Sequence, residues 1–372
     1  MQNSPAPTLL YALWNASKRN KTGDEEMKQV RFRMQKTVIL ALVAGICLLS
    51  IANNAMAATV KFGHVGPLFH GQTKGVEAFA AYVKEKTNGR IDIATFPNGQ
   101  LGGEQSLAEQ VQSGTLQMAT ITSAAMQNFV PEAIVMDMPF AFPNRKTAYA
   151  VIDDPEFQAK YFSYFPKKGF IAIGWTENEF RDLSNNKRPV HTPADVKGLK
   201  IRVINSPLYI DMFKVLGASP VGIPFPEIYN ALQTGVIDAQ ENPIMTTELM
   251  NFTEVTKHIT LTKHTLTECI IVVSVDYWES LSPADQQIFR DAAKECLKTN
   301  RAVNAELQLH MPKSGLSVLE FAKKNGVEVV ELTEAERAQF KAAMQPVWEE
   351  YRQKIGPEMF DFFLKKIKEH QQ

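Results

Sequence analysis

The chain has 372 residues, of which 45% are hydrophobic and 22% are charged, a composition typical of a soluble protein of about two domains. Its 40 basic and 40 acidic residues cancel, but residues 1–57 carry seven Lys or Arg and only three Asp or Glu. The remainder therefore has a net charge near −4 and contains no basic tail. This distribution argues against nucleic acid and anionic membrane surfaces as partners.

The N-terminus has the pattern of an export signal. A basic cluster at residues 31–36 precedes a continuous apolar stretch, TVILALVAGICLLSIA, at residues 37–52. The following NNAMA offers the small residues of a cleavage site after Ala57, so that the mature chain begins at Ala58. We expect residues 1–57 to be an upstream extension plus a cleaved signal peptide, with an uncleaved membrane anchor as the alternative.

Beyond the signal, strand and helix patterns alternate. Strands are predicted at residues 59–65, 90–96 and 115–121, and the two intervening helices end at Gly89 and Gly114. This order, with its short joints, indicates a parallel sheet covered by helices. We assign residues 58–179 to a first α/β lobe, completed by part of 269–330.

A second α/β unit is predicted at residues 180–268. Thr192 has the position of a helix N-cap before Pro193, and the strand that follows, GLKIRV, is succeeded by two helices and the strand VIDAQ. In that first strand the apolar residues Leu199, Ile201 and Val203 share one face. The fold class expected is therefore a two-lobed α/β protein with a cleft between the lobes.

Residues 282–372 are predicted to be helical. Ser282 would cap a helix about 40 Å long, enough to lie along both lobes. A later helix has Thr333 and Glu336 in capping-box spacing, and Pro346 is expected to kink or divide it.

A short pattern occurs twice, as VQSGTLQMAT at residues 111–120 and as ALQTGVIDAQ at residues 231–240. Each copy places a helix end and a glycine before a strand. Ligands of open α/β sheets bind at the carboxyl ends of such strands, which would make a cleft with two similar walls. The alternative is that the pattern is simply a common helix stop.

Two arginines are candidates for binding an anion. Arg202 lies on the polar side of GLKIRV, and Arg181 follows the strand that enters the second unit. A guanidinium presents a planar fork of donors that matches a carboxylate. The residues alone favour exposed ion pairs for both arginines. Asn242 and Glu241, before Pro243, occupy a loop position suited to binding.

The sequence contains none of the common catalytic, nucleotide-binding or metal-binding motifs, and we predict no enzymatic activity, no cofactor and no metal. His258 and His264 are expected at the surface. The two cysteines of the mature chain, Cys269 and Cys296, could pair in an oxidising compartment, but two buried free thiols are favoured.

Four segments resemble one protein family. They are FPNGQLGGEQSLAEQVQSG, DVKGLKIRV, LGASPVGIPFPEIYNALQTGVIDAQENP and the helix after YWESLSPADQQ. Together they make the mature chain similar to the DctP-type substrate-binding proteins of TRAP (tripartite ATP-independent periplasmic) transporters. The resemblance implies two hinged lobes, a long helix crossing both, and capture of an organic anion in the periplasm.

The resemblance also implies roles for particular residues. Arg202 would be the carboxylate clamp and Arg181 a second ligand contact. Asn242 would contact the ligand, Phe225 would pack against it, and Asn205 matches a polar contact found in some members.

Further candidates lie in the predicted cleft walls, where packing is as plausible a role as ligand contact. They are Thr122, Ser123, Trp175, Glu177 and His70. Sialic-acid-binding members have an acidic residue and an arginine where this chain has Thr122 and Ala125, which disfavours sialic acid.

The expected function is that of a monomeric TRAP solute-binding protein that delivers a small organic acid to ion-driven membrane permease subunits. A C4-dicarboxylate or a related acid is the favoured ligand. A sugar acid, an aromatic acid or a 2-oxo monocarboxylate is the first alternative, and an exported α/β enzyme acting on an organic acid is the second.

Overall fold

The computed structural model describes residues 27–28, 31–36 and 59–371. The first two short ranges are helical. The predicted apolar stretch at residues 37–52 and the predicted cleavage site lie outside the described residues. Within the described ranges, no helix has both the length and the hydropathy that crossing a membrane requires.

Two β-sheets organise residues 59–371. The first has five strands, in chain order β1 (Val60–Gly63), β2 (Ile93–Phe96), β3 (Met118–Thr122), β4 (Phe170–Phe180) and β10 (Leu266–Ser274). Its spatial order is β2-β1-β3-β10-β4. β1 pairs in parallel with β2 and β3, whereas β10 runs antiparallel to both β3 and β4. The prediction of a parallel sheet is thus correct for β1, β2 and β3. The sheet as a whole is mixed, because β10 comes from a much later part of the chain and runs antiparallel to its two neighbours.

The second sheet has six strands. In chain order they are β5 (Asp182–Asn185), β6 (Lys200–Val203), β7 (Ser219–Gly222), β8 (Ala239–Asn242), β9 (His258–Leu261) and β11 (Glu328–Glu331). Its spatial order is β11-β9-β5-β8-β6-β7, and β5 is antiparallel to its two neighbours. The chain passes from the first sheet to the second at Arg181, the one residue between β4 and β5.

Fourteen α-helices of residues 59–371 cover these sheets. They are α1 (Gly71–Lys86), α2 (Glu104–Gln112), α3 (Ser123–Met126), α4 (Arg145–Ile152), α5 (Pro155–Phe162), α6 (Pro207–Val215), α7 (Ile228–Gln233), α8 (Ile244–Leu249), α9 (Val275–Ser280), α10 (Pro283–Leu309), α11 (Val318–Lys324), α12 (Glu334–Ala343), α13 (Gln345–Ile355) and α14 (Pro357–His370). Short 3-10 turns at Pro193–Val196 and Phe225–Glu227 precede β6 and α7.

The predicted helix starts are present. The Ser282 hydroxyl caps α10 by accepting a hydrogen bond from the Asp285 N–H at 3.1 Å. Thr333 and Glu336 form the predicted capping box of α12. The predicted C-terminal helix is divided into α12 and α13, with Pro346 in the first turn of α13, as expected for a residue that cannot donate a backbone hydrogen bond.

The long helix α10 contacts both sheets. Near its start, Phe289 packs edge-on against Phe79 of α1 at 5.6 Å between ring centroids, and Phe79 packs on Phe62 of β1 at 5.5 Å. Near its end, Leu307 belongs to a hydrophobic cluster with Ile259 of β9. This helix therefore spans the molecule as its length predicted.

The pattern that occurs at residues 111–120 and 231–240 ends a helix in the same way both times. Gly114 and Gly235 have φ values of +78° and +73°, which favour glycine. Two residues further on, the N–H of Leu116 bonds to the Gln110 carbonyl, and the N–H of Ile237 bonds to the Ala231 carbonyl. Each of these bonds closes seven residues, one more than the six-residue closure of a Schellman motif. The pattern is thus a common stop, and it nevertheless precedes β3 and β8, whose ends meet at one cavity.

Candidate functional site

A cavity lies between the two sheets. Residues from both sheets line it, which matches the expected cleft with two walls. The lining residues are Val65, Gly66, Pro67, Gln72, Glu104, Thr122, Asn178, Arg181, Arg202, Ile204, Phe225, Asn242, Thr246 and Cys269.

The guanidinium group of Arg202 lines this cavity. It projects from β6 on the face opposite Ile201 and Val203, and only 2% of its surface is exposed. Its Nε donates to the Ile223 carbonyl at 2.8 Å. Neither Nη atom donates a hydrogen bond within residues 59–371, and Nη1 is fully buried. Burial lowers the pKa of Arg202 to about 10, against the opposing effect of Glu241.

Arg181 is neutralised by a neighbouring carboxylate. Its Nε donates to one Glu241 oxygen, and its Nη2 lies 2.9 Å from Glu241 Oε1 and 3.1 Å from Asn242 Oδ1. Burial opposes both charges, but their attraction outweighs it. The pair therefore holds the pKa of Glu241 below and that of Arg181 above its ordinary range. The Nη1 atom of Arg181 is buried without a hydrogen-bond partner among the described residues.

The expectation of exposed ion pairs for the two arginines is therefore wrong. Both are buried because the sheets face each other across the cavity, and a strand face that looks polar in the sequence becomes an interior wall. His264 is also buried rather than exposed, since it packs beside the Arg181–Glu241 pair, with Nε2 3.4 Å from Glu241 Oε2.

The opposite wall carries an acidic residue. Glu104, the first residue of α2, accepts hydrogen bonds from the Thr122 N–H at 2.7 Å and from the Thr122 hydroxyl at 2.9 Å. Burial raises the pKa of Glu104, while Thr122, Arg202 and Arg181 act in the opposite direction. This wall thus adds a carboxylate to the cavity that Arg202 also lines.

Five of the ten predicted contact residues line the cavity. They are Arg202, Arg181, Asn242, Phe225 and Thr122. Their common presence in one cavity gives the predicted binding site a physical location, while their contact with a ligand stays a prediction.

Two predicted residues on β4 point to the other side of its sheet. Trp175 packs against Tyr161 at 4.9 Å between ring centroids. The Glu177 carboxylate lies 3.4 Å from Arg145 and 3.6 Å from Arg301. Successive side chains of a strand alternate between faces, and Asn178 is the β4 side chain that lines the cavity. The assignment of Trp175 and Glu177 to the cavity is therefore corrected.

Three other predicted residues also lie outside the lining. His70 caps α1, its Nδ1 accepting from the Gln72 N–H at 3.1 Å. The Ser123 hydroxyl donates to the Glu268 carbonyl at 3.1 Å, and Asn205 is exposed in the loop after β6. The segment that contains His70 does contribute to the wall, through residues 65–67.

Several lining residues were not predicted. Gln72, Glu104, Asn178, Thr246 and Cys269 all line the cavity. For Glu104 a signal existed, since it begins a predicted helix directly after the glycine-rich turn NGQLGG. Cys269 and Cys296 are both free and buried, which confirms the favoured expectation for the two thiols.

Comparison with known proteins agrees with this architecture. The family model of bacterial extracellular solute-binding proteins, family 7 (DctP), matches residues 62–354. The 2,3-diketo-L-gulonate-binding periplasmic protein YiaO of Escherichia coli K12 is 31% identical, over 90% of this chain and 95% of its own.

Two solved TRAP periplasmic solute-binding proteins have similar structures. One, from Bordetella bronchispeptica with density assigned to pantoate, is 35% identical with a TM-score of 0.76, covering 83% of this chain and 99% of its own. Another, from Polaromonas sp. JS666 bound to D-erythronate, is 32% identical with a TM-score of 0.76, covering 82% and 98%. The two-lobed α/β fold, the matched family model and these relatives agree: the chain belongs to the DctP family of bacterial extracellular solute-binding proteins, the binding proteins of TRAP transporters.

Proposed function

We propose that this protein captures a small organic acid in the periplasm and delivers it to the ion-driven permease subunits of a TRAP transporter. The observation that carries the proposal is the Nη1 atom of Arg202, which is buried at a cavity between two sheets and has no hydrogen-bond partner among the described residues. A buried cation without a partner is costly. A ligand carboxylate would supply both the compensating charge and two acceptors in matching geometry.

The relatives support an organic acid as the ligand class. The names of the compared proteins mention 2,3-diketo-L-gulonate, pantoate and D-erythronate, each of which has a carboxylate. The C4-dicarboxylate expected from the sequence and the sugar acids or 2-oxo acids named as alternatives all remain within this class.

Binding without catalysis is the role that the family supports. The solved relatives are binding proteins, and we propose that this chain likewise has no enzymatic activity. We propose that the ligand, by contacting residues of both walls, stabilises the arrangement in which the two sheets enclose it.

A thermal-shift screen of residues 58–372 against about forty organic acids tests this function. A ligand at 100 times its Kd should stabilise the protein by about 2.7 kcal/mol. In Arg202→Met the shift should be lost, whereas the exposed control Arg352→Met should keep it. An acid that shifts wild type and Arg202→Met equally would remove Arg202 from the site, and no shift with any acid would contradict the proposed function.

A further inference from the structure

The cavity holds a charge arrangement that bears on which organic acid fits. Arg181, Arg202 and Glu104 are the charged residues of its lining within the described ranges. Arg181 is already neutralised by Glu241, which leaves Arg202 on one wall and Glu104 on the other as the remaining charges of the lining.

A single ligand carboxylate is compensated by Arg202. A second carboxylate would meet no further lysine or arginine in the lining formed by residues 59–371, and it would approach Glu104. Like charges in a buried site are strongly unfavourable. The charge arrangement thus disfavours a dicarboxylate.

Glu104 is held as a hydrogen-bond acceptor. The Thr122 N–H, which can only donate, points to Oε1 at 2.7 Å, and the Thr122 hydroxyl is 2.9 Å from Oε2. Each carboxylate oxygen can accept a second hydrogen bond. A group placed between Glu104 and Arg202 must therefore donate toward Glu104.

The neighbouring lining is polar but uncharged. Gln72 extends its amide from α1, with Nε2 donating to Thr120 at 2.9 Å. The Thr246 hydroxyl is buried without a partner in the part of the chain that the structure describes. A ligand hydroxyl can both donate and accept a hydrogen bond. It therefore suits a wall that contains a carboxylate, amides and a threonine better than a ligand methyl group does.

We infer that Glu104 determines specificity by accepting a hydrogen bond from a ligand hydroxyl, so that the preferred ligand class is hydroxylated monocarboxylic acids. The inference rests on the proposed function and narrows its ligand. D-Erythronate and pantoate, named for the two solved relatives, are members of this chemical class. An ammonium group is the competing donor, and the experiment includes it.

The test compares four acids of four carbons each: D-erythronate, butyrate, succinate and 4-aminobutyrate. Kd values are measured by isothermal titration calorimetry for wild type, Glu104→Gln and the control Glu109→Gln, which makes the same change on the exposed side of α2. Glutamine keeps an oxygen for the Thr122 N–H, and thermal unfolding verifies that the variant is folded.

Wild type should bind D-erythronate most tightly, and butyrate about 10- to 100-fold more weakly, the range of a hydrogen bond to a charged group. In Glu104→Gln, D-erythronate should lose a similar factor, butyrate should change little, and the discrimination against succinate should decrease. Glu109→Gln should behave as wild type.

Tighter binding of succinate or of 4-aminobutyrate than of D-erythronate by wild type would overturn the inference. Unchanged discrimination in Glu104→Gln would overturn it as well, and neither result would affect the proposed function. Failure of every acid in the wider screen would instead reject the proposed function, and this inference with it.

Discussion

Arg181 and Glu241 form an ion pair inside the cavity wall, with Nη2 and Oε1 2.9 Å apart and almost no solvent exposure of either side chain. Such a pair contributes little net stability, because removing two charges from water costs about as much as their attraction returns. Its consequence is local: it cancels one of the two cations of the cavity and leaves Arg202 as the anchor that we propose for an anion.

Breaking this pair should be costly. Glu241→Gln leaves the Arg181 guanidinium buried without compensation, and we expect it to lower the free energy of unfolding by about 3–5 kcal/mol. Urea denaturation monitored by circular dichroism measures the change. Glu254→Gln, an exposed glutamate of the same lobe, serves as the control. A loss below 1 kcal/mol for Glu241→Gln would contradict the assignment of a strongly coupled pair.

Asp137 should make stability depend on pH. Burial raises the pKa of Asp137 to about 7, despite hydrogen bonds from Tyr209 and Thr267. The unfolded chain has a pKa near 3.9 for aspartate, so the folded state binds the proton more tightly. The contribution of this group is therefore most favourable below about pH 4 and is lost as pH rises toward 7.

Asparagine does not titrate, so Asp137→Asn should not lose this stability as pH rises. The unfolding free energy of the variant should therefore increase relative to that of wild type between pH 5 and pH 8. The slope should approach at most about 1.4 kcal/mol per pH unit. Thermal and urea unfolding at pH 5, 6, 7 and 8 gives the slope, and the exposed Asp276→Asn controls for general charge effects. Parallel curves for wild type and Asp137→Asn would contradict the raised pKa.

Arg145 should stabilise an acidic cluster on the far side of β4. Its guanidinium pairs with Glu179 and lies 3.4 Å from Glu177, whose pKa is raised to about 7 by burial and by Glu179. Removing the cation in Arg145→Met raises the pKa of Glu177 further in the folded state. The variant should therefore be progressively less stable than wild type as pH rises from 5.5 to 8.

Unfolding free energies at those two pH values check this expectation. Lys146→Met removes a positive charge from the next residue, which is exposed, and should show no such widening. An equal effect of the two substitutions would mean that net charge, rather than the Glu177 and Glu179 contacts, is responsible.

The close approach of α1 and α10 should make substitution of Gly75 by alanine destabilising. A Cβ atom at this position would lie 2.6 Å from the Cys296 carbonyl oxygen, which is backbone and can move only with its helix. Alanine improves helix propensity by about 1 kcal/mol, but overpacking costs about 1–3 kcal/mol. Gly75→Ala should therefore be net destabilising in chemical denaturation, whereas Glu77→Ala on the exposed face should change stability by less than about 0.5 kcal/mol.

The two thiols should report on cavity occupancy. Cys269 lines the cavity, whereas Cys296 is buried on α10, and burial raises the pKa of both. Native protein should react slowly with a thiol reagent, because the thiolate is the reactive form. A bound organic acid should slow modification of Cys269, measured in a Cys296→Ala variant, and should leave Cys296 unaffected in Cys269→Ala. Equal protection of both would indicate global stabilisation instead of contact.

Much of the fold could be predicted from the sequence because its signals are local. Ser282, Thr333 and Pro346 act within one or two helical turns, and strands β1 to β3 follow short apolar runs. The mixed character of the first sheet could not be predicted, because β10 joins it from more than 140 residues beyond β3. Pairing over such a separation leaves no periodic pattern in either segment.

The site could be predicted only in part, because some of its residues lie in recognisable local motifs and others do not. Arg202, Arg181 and Asn242 were identified through their neighbouring motifs, whereas Glu177 and Trp175 were assigned to the wrong face. An error of one residue in strand phase exchanges the two faces, and the irregular register between β4 and β10 near Glu268 makes that phase hard to infer. Glu104 was missed because its role depends on Thr122, 18 residues away along the chain.

Arg181 is at once a cavity residue and the single residue between β4 and β5, and Glu179, two positions before it, has a φ of +80°. A rotation of one sheet relative to the other would therefore change backbone angles beside atoms that line the cavity. Solute affinity and sheet orientation are then linked, and linkage is reciprocal. A partner that binds one sheet orientation more tightly changes the solute Kd by some factor. The solute must change the affinity for that partner by the same factor. For the function proposed above, docking of such a partner would by itself promote release of the solute, without any chemical step in this protein.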